Sequence, residues 1–240
     1  MARAFGLALA LFCLTLPAPL AACRLALILA LDVSSSVDWA EDRLQRRGLA
    51  AALRDPEVQD AFLASPRPVA LHVFEWSGRR DQTLMIPNWR LIRSAEDLED
   101  IARAIEGTKR SRADRPTALG DALGFASRLL EQAPVCDAAT IDVSGDGINN
   151  EGVAPDRAFA LFPLDGVTVN GLAIITDEGG LDLVPYYRDE LIRGPGAFVE
   201  IAAGFEDFQR AMTRKLLAEL RVQVIGAAPL PAALADRQRG

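Results

Sequence analysis

Residues 25–31 (LALILAL) run directly into Asp32-Val33-Ser34-Ser35-Ser36, and this junction decides how the chain is read. Seven apolar residues without a break read as a strand buried on both faces. A helical pattern begins near Val37, so the polar pentapeptide is a strand-to-helix turn. Alternate residues of such a turn (Asp32, Ser34 and Ser36) can aim a carboxylate and two hydroxyls at one point. Hard oxygens of this kind suit a small divalent cation. The same segment also fits a helix cap, with Ser35 and Asp38 spaced as in a capping box. On these residues alone both readings stand.

Two distant segments bear on the choice. Residues 138–143 (AATIDV) read as a second buried strand and end in Ser144-Gly145-Asp146-Gly147-Ile148-Asn149-Asn150, which puts Asp146 on a loop at a strand's carboxyl end. Between the two, Arg115-Pro116-Thr117 opens a helix carrying Leu119, Ala122, Leu123, Ala126 and Leu130, so Thr117 brings a hydroxyl to a helix start. Singly, Thr117 reads as an N-cap and Asp146 as part of a glycine-flanked turn. Together they give D-x-S-x-S, then Thr, then Asp, all at loop positions of an alternating strand–helix chain.

That combination resembles the von Willebrand factor A family and its metal-ion-dependent adhesion site. The resemblance spans about residues 24–222 and implies that Asp32, Ser34, Ser36, Thr117 and Asp146 bind Mg²⁺, directly or through water, with Mn²⁺ or Ca²⁺ as alternatives. It also implies the fold: an α/β, three-layer Rossmann-like arrangement, with a mostly parallel sheet, one antiparallel edge strand and helices on both faces. Glu75-Trp76-Ser77-Gly78, residues 141–147 (IDVSGDG) and Gly194-Pro195-Gly196-Ala197-Phe198 are similar to a bacterial subfamily of secreted A-domain proteins of unsettled role. One departure stands out. Adhesive members usually have Thr before the Asp-Gly of the fourth-strand motif, where this chain has Gly145, so any supporting role of that Thr is missing.

The N-terminus reads as a targeting segment. Arg3, the apolar run 4–16, Pro17, Pro19 and small residues to Ala22 make a cleavable leader over 1–22, too short and too proline-broken for a membrane span. The domain is then expected over 23–224, with a loose Pro- and Ala-containing tail over 225–240. The formal net charge of −7 grows by one unit when Arg3 is removed with the leader. An acidic chain without a basic cluster is a poor partner for nucleic acid or anionic lipid. Export to the periplasm or the exterior follows.

Cys13 lies in the leader, which leaves Cys23 and Cys136. In the sheet that the resemblance implies, their strands are parallel neighbours and the two cysteines meet at the end opposite the metal site. A disulfide there suits an oxidising compartment. Leu20-Ala21-Ala22-Cys23 also fits a lipobox, which would acylate Cys23 and leave Cys136 unpaired. The disulfide is preferred, because no linker separates Cys23 from the first strand and a leftover thiol is uncommon in an exported protein.

The rest of the chain follows the same style. Residues 69–76 and 82–87 read as strands joined by a turn, the second antiparallel at an edge. Ser94 caps a helix with Leu98, Ile101, Ala102 and Ile105 on one face, ended by Gly107. Residues 167–175 and 197–202 read as strands, and Phe205, Phe208, Met212, Leu216 and Leu220 mark the last helix. Asp177 and Glu178, with Trp76 and Arg79, are expected to line the rim of the site.

An open position on such a cation suits a protein or peptide carboxylate, so divalent-dependent binding is the expected function and no turnover is expected. Enzyme readings are weaker. His72 is the single histidine and sits mid-strand, as a satisfied core residue. A phosphoaspartate enzyme using Asp32 is the main rival, but it would want Asp at position 34, and Lys109 and Lys215 are the only lysines available to a transferring phosphoryl group. Asp142-x-Ser144-x-Asp146-Gly147 mimics the opening of an EF-hand loop but lacks the closing Glu, with Val153 there instead. A structural domain with an unused site is the third reading.

Overall fold

The computed structural model describes residues 23–111, 114–176 and 182–225. The expected leader, the tail beyond Ile225, and Asp177 and Glu178 lie outside the described residues.

Ten consecutive buried residues form β1 (Cys23–Asp32), and their alternation builds both cores. Leu25, Leu27, Leu29 and Leu31 enter one cluster, whereas Ala26, Ile28 and Ala30 enter the other. A strand with both faces covered needs apolar side chains in both registers, which is why the run is unbroken. β2 (Val69–Trp76) and β5 (Cys136–Gly145) flank β1, both parallel to it. β6 (Thr168–Ile174) and β7 (Val199–Ala202) extend the parallel sheet beyond β5. On the other side the antiparallel edge is split between two short stretches, β3 (Gln82–Leu84) and β4 (Arg90–Ile92), both paired with β2. The order is β3-β2-β1-β5-β6-β7. Strand order therefore reverses between β1 and β5, the crevice where ligands of open α/β sheets bind.

Helices α1 (Trp39–Arg54), α3 (Ala95–Gly107) and α7 (Phe208–Ile225) cover the leucine face of β1, through Leu49, Leu53, Leu98, Ile101, Phe208 and Met212. Helix α4 (Leu119–Leu130) and the short α5 (Pro155–Leu161) cover the other face with Leu119, Leu123, Ala126 and Ala158. Two further short helices among the described residues are α2 (Pro56–Leu63) and α6 (Leu183–Tyr186), and α6 continues into a π-turn over Tyr187–Leu191. Local chemistry sets most starts. Ser94 and Asp97 form the capping box of α3, and Pro56 and Pro155 open α2 and α5, where a missing N–H is harmless.

Cys23 faces Cys136 across the β1–β5 ladder, and the two form a disulfide with Cα atoms 4.5 Å apart. The far end of the same pair brings Leu31 beside Ser144. His72 is buried in β2 with its ring edge-on to Trp89 at 5.3 Å, but its Nδ1 has no protein partner, so it is a core residue without being a fully satisfied one. Burial lowers its pKa and favours the neutral ring. Lys215 is also interior. It pairs with Asp142 at 3.0 Å and Glu219 at 2.8 Å, and Glu219 also accepts from Asn170 at 2.7 Å. Asp142 thus sits inside β5 against an ammonium, not on a calcium loop. No helix among the described residues is long and apolar enough to cross a membrane.

Candidate metal centre

The β1–α1 turn is not used as a cap. Helix α1 is capped by Asp38, whose carboxylate accepts from Ala40 and Glu41 amides at 2.6 and 2.8 Å, while Glu41 accepts from the Asp38 amide at 2.7 Å. This capping box lies three residues beyond the Ser35–Asp38 spacing, so Asp32, Ser34 and Ser36 are left for other duties. Helix α4 likewise begins at Leu119, with Ala118 in the cap position and no side-chain cap of its own. Thr117 lies just before it, buried, and is no N-cap.

The carboxyl ends of β1 and β5 bring the expected residues together. Ser36 Oγ donates to Asp146 Oδ1 at 2.7 Å and lies 3.2 Å from Ser34 Oγ. The Ser34 amide donates to Asp32 Oδ1 at 2.7 Å, which turns that carboxylate toward the serines. A Cβ placed on Gly147 would meet Thr117 Oγ1 at 3.5 Å, so the threonine hydroxyl lies over the residue that follows Asp146. Asp32, Ser34, Thr117 and Asp146 are all buried, and Ser36 is half-buried.

Several residues that the sequence did not single out hold this geometry. Gln45 of α1 donates to the Asp32 carbonyl at 2.8 Å. Arg110 donates to the carbonyls of Val33 and Ser34, both at 2.8 Å, and its guanidinium lies over the Trp39 ring. The Ser35 amide donates to the Arg115 carbonyl at 2.7 Å, joining the Thr117 segment to the β1–α1 turn. Asn150 Oδ1 accepts from the Thr117 amide at 2.8 Å, and Asn149 Oδ1 accepts from the Leu119 amide at 2.7 Å. The paired asparagines after Asp-Gly were the available signal: they cap α4 from another loop. Asn149→Ala should therefore lower stability by about 1 kcal/mol, as loss of a helix cap does, read as a shifted urea midpoint at unchanged slope.

The electrostatics follow from two buried carboxyl groups that act on each other. Burial, and then the charge of Asp146, push Asp32 up from 3.8 to about 8, against the opposing pull of Ser34 and Arg110. Asp32 Oδ2 is buried with no hydrogen-bond partner. A cation is the group that would answer both the repulsion and the orphaned oxygen, and a set of hydroxyls and carboxylates suits a hard one. Among the described residues no three His, Cys, Asp or Glu side chains converge, so no rival cage of those types competes.

The rim differs from expectation. Trp76 is wholly buried beneath the site, because its β2 position pairs with Asp32 and its ring joins the core on the α4 face. Arg79 is exposed, its amide held by Glu151 at 3.1 Å. The large apolar side chains exposed near the site are Trp39 and Ile148, 58% and 50% accessible. Beside Ser36 opens a cleft of about 430 Å³ walled in part by Asp38, Glu41 and Glu206.

This sheet order and helix arrangement define a von Willebrand factor A fold. The chain belongs to the family described as "Protein of unknown function (DUF1194)", whose model matches residues 22–224. No curated protein matches the sequence. Among solved structures it is similar to proximal thread matrix protein 1 from the mussel byssus "with zinc occupied MIDAS motif", at 16% identity and TM-score 0.57, covering 84% of this chain and 48% of that one. It is similar to a von Willebrand factor type A protein from Catenulispora acidiphila at 14% identity and TM-score 0.53, covering 84% and 43%. A third is the PilB minor pilin from Streptococcus sanguinis, at 14% identity and TM-score 0.58, covering 88% and 65%. The chain thus spans about half the length of the mussel protein. At these identities the likeness is one of fold.

Proposed function

We propose that Asp32, Ser34, Ser36, Thr117 and Asp146 hold a divalent cation, Mg²⁺ in the first instance, and that the chain is an exported module which captures a carboxylate of a protein or peptide there. In this reading residues 23–224 are the working domain and 1–22 a leader. The observation that carries it is the buried Asp32–Asp146 pair, with Ser36 Oγ joining Asp146 Oδ1 to Ser34 Oγ and one Asp32 oxygen left without a partner. The zinc-occupied motif of the mussel protein supports it by analogy of fold.

When bound, the ion supplies positive charge and an open coordination position to a carboxylate that the acidic surface alone would repel. The chain's part is to pre-form the site. Ser36 links Ser34 to Asp146, Asn150 fixes Thr117, and Arg110 and Gln45 hold the turn from behind. Exposed Trp39 and Ile148 offer apolar contact to a partner beside the site.

The phosphoryl-transfer rival finds less support. Lys215 is fully buried and engaged by Asp142 and Glu219, so it has no access to a substrate phosphate. Lys109 remains as an exposed lysine near Arg110.

The test uses an immobilised peptide with free aspartate side chains. The purified protein should be retained with Mg²⁺, released by EDTA, and not retained as the Thr117→Ala variant. Hydrolysis of generic phosphoesters should be absent. Saturable hydrolysis that disappears in Asp32→Asn would establish the enzyme and remove the binding reading.

A further inference from the structure

Gly145, the last residue of β5, lies directly beside the candidate centre, and its missing side chain leaves a space that two other groups share. A Cβ there would sit 2.7 Å from the hydroxyl of Tyr187 and 2.8 Å from Asp32 Oδ2. A side chain at this position would force one of these two tips to shift, so the present arrangement of Tyr187 and Asp32 depends on glycine. A second glycine cooperates. A Cβ on Gly171, in the neighbouring β6, would meet Tyr187 Cδ2 at 2.7 Å. Glycines on two adjacent strands thus make a slot for one tyrosine, which the π-turn after α6 delivers through the helix-covered face of the sheet.

Tyr187 is wholly buried, and its hydroxyl has no hydrogen-bond partner. Asp32 Oδ2, also next to Gly145, is likewise buried and without one. Leaving a buried polar group unpaired costs about 1–3 kcal/mol, and a phenol is costly to bury unless its hydroxyl is used. A donor and an acceptor, each without a partner, thus lie within contact distance of one point beside Gly145. The neighbouring tyrosine makes the contrast: the hydroxyl of Tyr186 accepts from the Asn149 amide at 3.3 Å.

We infer that Tyr187 is a positioning residue of the metal centre, its hydroxyl donating to Asp32 Oδ2 so that the carboxylate is held from both sides. The Ser34 amide fixes Oδ1 and Tyr187 fixes Oδ2, leaving further lone pairs on each oxygen for the ion's shell. This hydroxyl supplies, from a distant segment, the support that Gly145 cannot give. The inference rests on the proposed metal reading.

Outer-shell partners of this kind are worth about 10–100-fold in metal affinity. Titration calorimetry with Mg²⁺ and Mn²⁺ on the wild type and Tyr187→Phe should show a loss in that range. The metal-free melting temperature should fall little, because the ring still fills its slot. A structural role alone would give the opposite pattern. A second readout does not need the variant to fold. Adding Mg²⁺ to the wild type should perturb a near-ultraviolet tyrosine band, and Tyr186→Phe should retain that band, which assigns it to Tyr187. Equal affinity in Tyr187→Phe, or a wild type that binds Mg²⁺ without a tyrosine signal, overturns the inference and leaves the metal site standing. A wild type that binds neither ion, with Asp32→Ala indistinguishable from it, removes the metal site itself and this inference with it.

Discussion

Asp32→Asn should abolish the metal-induced rise in melting temperature, while leaving the metal-free protein at least as stable as the wild type at neutral pH. The two halves of this expectation have one cause. In the folded chain the Asp32 carboxyl is raised to about 8, first by burial and then by Asp146, from 3.8 in its ordinary state. Below 3.8 the group is protonated in both the folded and unfolded chain and does not affect their balance. As pH rises from 3.8 to about 8, the unfolded chain gives up this proton and the folded chain keeps it. Stability from this group therefore falls across that window and levels off above it. An asparagine, neutral throughout, removes that slope.

Metal binding runs the other way, because the ion takes the carboxylate and expels the proton. The Mg²⁺-dependent shift in the wild type should consequently grow with pH up to about 8. At an ion concentration about 1,000 times Kd the stabilisation is about 4 kcal/mol, which for a domain of this size is roughly 10 °C. Thermal melts of both proteins with Mg²⁺ or EDTA, across that pH range, check each part. A metal shift that survives in Asp32→Asn would reject the site. A marked loss of metal-free stability would instead reject the account of Asp32 as a buried carboxyl whose ionisation the fold opposes.

The parts of this centre that could be read from the sequence are those whose cause is local. An unbroken apolar run forces a two-faced strand, and oxygen side chains at alternate positions after it share a direction, so Asp32, Ser34 and Ser36 could be placed before the fold was known. Thr117 and Asp146 came with the resemblance, since nothing local says that their loops converge. The capping box shows how local patterns mislead. Ser35–Asp38 and Asp38–Glu41 have the same spacing, and the second forms because its members sit at the true helix start. Trp76 was misplaced for a related reason. An aromatic residue just before a turn reads as surface, but a central strand pairs it with Asp32 and turns its ring into the core. Lys215 could be read from the sequence only as one of two lysines available to a phosphoryl group, and the packing of α7 against β5 shows it as the counter-charge of Asp142. Tyr187 could not be seen at all, because its meaning depends on two glycines in other strands.

The disulfide should be the largest covalent contribution to stability, and its loss should barely touch the centre. It joins residues separated by 113 positions, and closing a loop of that size restrains the unfolded chain by about 4 to 5 kcal/mol in the chain-entropy model. For a domain of this length that is roughly 10–20 °C in melting temperature. Reduction, or the Cys23→Ala/Cys136→Ala double variant, should produce a drop of this order in thermal melts. The metal end should be indifferent, because the β1–β5 ladder continues from Leu25 beside Ala138 to Leu31 beside Ser144 and sets the register of Asp32 without the sulfur bridge. Mg²⁺ affinity in the double variant should accordingly stay within a few-fold of wild type, a few-fold being under about 1 kcal/mol. A large loss of affinity would show that the bridge holds the strand ends in place across the whole sheet. Intact-mass analysis of the protein expressed with residues 1–22 in place, before and after reduction, supplies the remaining control. The bridged form gains two hydrogens on reduction. A diacylglycerol adduct on Cys23, with Cys136 alkylated before any reductant is added, would instead make the chain a lipoprotein and remove the covalent term from its stability.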